Sequence, residues 1–125
     1  MDDKLVRHFI RGYFDGDGSV FTVRVKKYGR EYVYCGASIL GREVFLQKLY
    51  SYLPFSVSKA PIYPHKSVYS LQFSGNRRCA LLYDYLYSGA SVFLERKKLR
   101  FEELCGMTPE QVMLDTIMID RYKLN

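Results

Sequence analysis

Leu5, Val6, Phe9, Ile10, Tyr13 and Phe14 recur at intervals of three and four, the spacing of one helix face. They predict a first helix over about residues 4–15, capped by Asp2 or Asp3 and stopped by Gly16 and Gly18. The period then changes to two. Phe21, Val23 and Val25 alternate with Thr22, Arg24 and Lys26, which predicts a strand over residues 19–27 with its apolar side inward. Tyr28-Gly29-Arg30 reads as a turn into a second strand, about residues 31–40. There Val33, Cys35, Ala37 and Ile39 would face the core, and Tyr32, Tyr34, Gly36 and Ser38 would face away. A helix over about residues 42–52 follows, ended by Pro54. A second hairpin spans residues 56–63 and 68–74 around Pro64-His65-Lys66-Ser67. Its second arm sets Tyr69, Leu71 and Phe73 against Ser70 and Gln72, and Pro61 marks an edge or a bulge. The rest is helical: about residues 77–87, 92–104 and 109–122, the last opened by Thr108-Pro109-Glu110-Gln111.

This order predicts an α+β domain, an α-β-β-α-β-β-α core with an antiparallel four-stranded sheet and an extra C-terminal helix. Helices would cover one sheet face and leave the other open. No linker or repeat divides the 125 residues, so residues 1–125 read as a single domain with its core over about residues 4–104. Hydrophobic content of 48% with 26% charged residues suits a soluble globular protein. The net charge of +6 and 12 tyrosines fit a nucleic-acid binder, and fit equally a basic protein with no polyanion partner. Cys35, Cys79 and Cys105 are odd in number and lack CxxC spacing, which argues against a zinc site or a disulfide framework and for three small apolar core residues. No apolar run approaches the ~18 residues of a membrane span, and the start carries no signal-peptide pattern. The expectation is an intracellular protein, cytoplasmic or organellar.

The chemistry concentrates at the end of the first helix. Asp17 would lie where the helix dipole disfavours an anion, and a bound cation would reverse that sign. Magnesium, which takes one or two carboxylates together with waters and substrate phosphates, suits such a site, with Gly16 beside it. Gly12 and Gly16, four apart, are spaced to let two helix backbones approach closely. Pairing of two copies would bring two Asp17 carboxylates together, as the two-metal hydrolysis of phosphodiesters needs. It would also predict a near-palindromic target. The other reading makes Asp15 and Asp17 turn residues and the glycines plain caps; the residues alone leave both open. His8 and His65 are too isolated for a ligand set. Glu95-Arg96-Lys97 is also an E-x-K triplet, which another nuclease class carries on a strand, but its surroundings read as helix.

Ile10-Arg11-Gly12-Tyr13-Phe14-Asp15-Gly16-Asp17-Gly18 resembles the LAGLIDADG motif of homing endonucleases. Arg11 departs furthest, standing where that family has a small residue. Ala90-Ser91-Val92-Phe93-Leu94-Glu95-Arg96-Lys97-Lys98 is similar to the start of the family's C-terminal helix, and the element order agrees. A single motif resembles the homodimeric branch. The resemblance implies a site-specific double-strand DNA endonuclease with Mg2+ as cofactor and intron homing as its setting. It implies Asp17 as the metal-binding catalytic acid, Lys97 (or Lys98, one residue on) as the basic residue at the cleaved phosphate, and Ser38 as a polar residue positioning water. Phe9, Gly12, Tyr13, Asp15 and Gly16 would form the dimer interface, Asp15 as a structural acid. The open sheet face would enter the major groove, with Arg24, Lys26, Tyr32, Tyr34, Lys59, Ser70 and Gln72 as contacts, and Lys27, Arg30 and Lys66 near turns as phosphate contacts. The alternative on the same scaffold is an inactive DNA-binding regulator or an intron RNA splicing cofactor.

Overall fold

A computed structural model describes residues 3–55 and 61–106. The elements are α1 (Asp3–Asp17), β1 (Gly18–Lys27), β2 (Arg30–Gly41), α2 (Glu43–Ser51), β3 (Ile62–His65), β4 (Val68–Ser74), α3 (Asn76–Tyr87) and α4 (Glu95–Cys105). The four strands form one antiparallel sheet in the order β1-β2-β4-β3. The expected α+β layout is therefore present. The C-terminal helix expected over residues 109–122, the start of the second hairpin and Lys59 lie outside the described residues.

The core lies between the helices and one sheet face. Val20, Ala37, Ile39, Leu71 and Phe73 from the strands are buried with Val6, Ile10, Phe14, Leu46, Leu49, Leu82, Leu86 and Phe101 from the helices. The Phe14 and Phe101 rings stack with centroids 5.5 Å apart, which locks α4 over α1 and β1. Tyr28-Gly29 forms a two-residue hairpin turn with both φ positive, at 54° and 73°. Lys66-Ser67 alone makes the second turn, so Pro64 and His65 belong to β3 rather than to the turn. Pro64 is tolerated because β3 is an edge strand. Among the described residues no helix is long and apolar enough to cross a membrane. Cys79 is a free, buried core residue, as expected, and burial pushes its thiol up to about 12. Cys35, by contrast, is disulfide-bonded, so the expectation of three plain apolar cysteines fails there.

Two local expectations are corrected. The first helix does not stop at Gly16; it runs through Asp17, and β1 begins at Gly18 with no loop between them. A Cβ on Gly18 would stand 2.4 Å from the Phe14 ring and 2.6 Å from the Phe14 carbonyl oxygen. Gly18 therefore allows a strand to leave hard against the helix that precedes it. The second correction is the β1 register. Gly18 and Val20 are the buried positions, so Phe21, Val23 and Val25 take the other face of the sheet. Arg24 and Lys26 take the helix-side face, at the outer end of the hairpin. Alternation alone could not fix this phase, because one apolar set had to be chosen over another and a shift of one residue exchanges the faces.

Candidate active site and nucleic-acid interface

The carboxyl end of α1 and the amino end of α4 meet across nearly the whole chain. Asp15 makes the junction: one carboxylate oxygen accepts from the Tyr87 hydroxyl at 2.8 Å and the other from the Leu94 backbone N–H at 2.7 Å. Leu94 is the N-cap residue of α4, so the Asp15 anion also faces the positive end of a helix dipole. Burial first, and Asp15 second, push the Tyr87 hydroxyl far above its ordinary pKa. Both Asp15 carboxylate oxygens are thus engaged inside the chain.

Lys97 lies in the first turn of α4. Its ammonium donates to the Gly18 carbonyl oxygen, one residue past Asp17. Burial is the largest influence on Lys97 and lowers its pKa; Arg96 acts in the same direction, while Asp15 and Asp17 raise it. Lys98, the alternative, is committed elsewhere. It pairs with Glu102 at 2.9 Å and lies over the Tyr83 ring. Asp17 itself is exposed at the last position of α1 and makes no hydrogen bond or ion pair among the described residues. Its field still reaches Tyr13, whose hydroxyl is pushed up by burial and then by Asp17.

The exposed Asp17 carboxylate is compatible with magnesium. One exposed carboxylate with space for water and phosphate is what that ion prefers, and no group of three or more ligating side chains is present among the described residues. Ser38 is half-buried on the open sheet face, register-paired with Ser19 and Gln72. The polar row Ser19–Ser38–Gln72 therefore begins two residues from Asp17.

Exposed positions of α1 form a stripe of Leu5, Phe9, Gly12 and Gly16. A Cβ on either glycine would meet nothing within 4 Å among the described residues, so packing among them gives no reason for glycine there. Each costs the helix about 1 kcal/mol relative to alanine. Tyr13 is half-buried beside this stripe, donating to the Leu40 carbonyl at 2.7 Å and packing on Phe45. Two arginines were not foreseen as structural. Arg7 donates to the carbonyls of Tyr85, Asp84 and Ser88, and the buried Arg11 donates to those of Leu86 and Val92. Together they satisfy the carboxyl end of α3. Arg11 is the residue that departs most from the motif, and this contact explains its presence.

On the open face, rungs can be followed from the register. Next to the Ser19–Ser38–Gln72 row come Phe21 opposite Gly36, Val23 opposite Tyr34, and Val25 opposite Tyr32. Lys27 opposite Arg30 closes the hairpin tip. Tyr32, Tyr34, Lys27, Arg30 and Gln72 thus share the expected face, and Lys66 is exposed in the β3–β4 turn. Arg24 and Lys26 do not share it, and Arg24 is paired with Glu31 at 2.8 Å. Ser70 is buried, at 4% exposure, between Leu40 and Tyr63, so it cannot reach a base.

No family model matches the sequence, and no curated protein matches it. Solved structures do. The homing endonuclease I-CvuI, bound to the I-CreI target with 2 mM Mg and the DNA not cleaved, superposes with a TM-score of 0.62 at 13% identity. That match covers 78% of this chain, which spans 62% of the length of I-CvuI. The archaeal intron-encoded I-Vdi141I, complexed with DNA, gives 0.64 at 14% identity over 82% of this chain and 67% of its own. The homing endonuclease I-TnaI gives 0.60 at 14% identity over 83% and 69%. At such identities the likeness establishes the fold.

Proposed function

Starting from a chain that carries the LAGLIDADG homing endonuclease fold, we propose that it is one half of a homodimeric, magnesium-dependent, site-specific DNA endonuclease. The observation that carries this reading is the bond from Lys97 to the Gly18 carbonyl, which brings the ammonium to the residue next to the exposed Asp17, 80 positions away in sequence, at the inner end of an open, cation-edged sheet face. Asp17 of each subunit would hold magnesium. When bound, the ion supplies the charge that makes water a better nucleophile and the phosphate a better electrophile. Lys97 offsets charge on the cleaved phosphate, and the contact to Gly18 fixes its reach. Ser38 and Ser19 orient water at the same end. The exposed Gly12 and Gly16 let a second copy come close, with Phe9 and Leu5 extending the contact. Lys27, Arg30 and Lys66 serve phosphates; Arg24 and Lys26, behind the hairpin tip, can serve only phosphates. The target is long, double-stranded and near-palindromic.

The test is direct. The protein is incubated with magnesium and a library of long duplexes, then the same is done with Asp17→Asn. Sequence-specific double-strand cuts made by the wild type and lost in the variant support the enzyme. Tight binding without cutting by the wild type supports the regulator or splicing-cofactor reading.

A further inference from the structure

The open sheet face is graded. A polar rung, Ser19–Ser38–Gln72, lies at the Asp17 end, and a cationic rung, Lys27–Arg30, lies at the tip. Between them stand three rungs of almost purely apolar surface. The Phe21 ring lies across Gly36, where a Cβ would be 2.5 Å from it, and Val23 and Val25 face Tyr34 and Tyr32. Among the described residues no helix covers this stripe, and Tyr32 is 44% exposed. Its cationic edge fits a polyanion better than an apolar protein surface.

We propose that Phe21, Val23 and Val25, flanked by Tyr32 and Tyr34, select thymine methyl groups in the major groove. This rests on the DNA-binding reading above and deepens it. In the major groove a G·C pair offers only hydrogen-bond donors and acceptors, and burying these against valine leaves them unpaired. An A·T pair also offers the thymine methyl, the one base-edge group that an apolar stripe can bury with gain. The three rungs span about 13 Å of strand, the rise of about four base pairs. Phe21 is itself four residues from Asp17. The methyl-reading window therefore begins about four base pairs from the cleaved phosphate and ends about eight from it. Polar readout belongs to the inner rung and phosphate contact to the tip.

A duplex selected from a randomised library is compared, by equilibrium binding without divalent ion, with the same duplex carrying deoxyuridine for thymidine at single positions. Loss of each contacted methyl should weaken binding about fourfold, the value of one buried methyl group, and only inside the window. The Val23→Ser/Val25→Ser protein should bind the thymidine duplex more weakly and show no further loss on deoxyuridine at the positions those two residues face. Failure to bind any duplex would overturn this proposal and the DNA-binding reading together. Tight, selective binding indifferent to deoxyuridine throughout the window would overturn this proposal alone.

Discussion

Replacing Asp15 by asparagine should unfasten α4 from α1. The wild-type carboxylate accepts two hydrogen bonds, from the Tyr87 hydroxyl and the Leu94 N–H, at 2.8 and 2.7 Å. Asparagine keeps one acceptor oxygen and turns an NH2 donor towards the other partner. One charge-assisted bond is lost and the other becomes neutral, which costs about 2 kcal/mol. Tyr87 is only 4% exposed, so water cannot readily replace the lost acceptor. With an unfolding entropy of about 2.1 cal/mol/K per residue, that loss lowers Tm by about 8 °C for a chain of this size. Thermal melts followed by circular dichroism measure it. Tyr87→Phe and the double variant complete a cycle, and the two losses should add to more than the double variant shows. A Tm within 2 °C of wild type, or strict additivity, would refute the claim that Asp15 holds this junction. If the chain cuts DNA as proposed, Asp15→Asn should cut more slowly even at temperatures where the variant is folded, because the amino end of α4 sets the position of Lys97.

Gly12→Ala should move two measurements in opposite directions. It should stabilise the helix by up to about 1 kcal/mol and, if two copies pair as proposed, weaken self-association measured by analytical ultracentrifugation. An unchanged association constant would refute close pairing at this face. Gly36→Ala should lose about 1–3 kcal/mol in chemical denaturation, because the new methyl meets the Phe21 ring. Glu102 has its pKa held below 4.5 by the Tyr83 hydroxyl bond and then by Lys98. Its contribution is therefore fully present above pH 4.5 and lost as pH falls through its lower folded value. The stability gap between wild type and Glu102→Gln should be constant near neutrality and close in acid; a gap independent of pH would refute it.

The sequence by itself determined the element order, the open and covered faces of β2 and β4, and the position of Asp17 at a helix end. Those follow from local periodicity, and the apolar sets Cys35–Ala37–Ile39 and Leu71–Phe73 left no rival phase. The motif resemblance also pointed correctly to the fold. What only the tertiary structure decided was phase and partnership. In β1 both residue sets hold plausible members, and the anchor is Gly18, whose missing side chain lets the strand lie on Phe14. No local pattern reveals such a contact. The same holds for Arg11, whose guanidinium ends at the carbonyls of α3 and of Val92, more than seventy residues away. It holds too for Lys97 and Lys98, adjacent cations of which one reaches the Gly18 carbonyl and the other Glu102. Periodicity tells which way a side chain points along its own element; which backbone end or carboxylate it meets depends on how the elements pack.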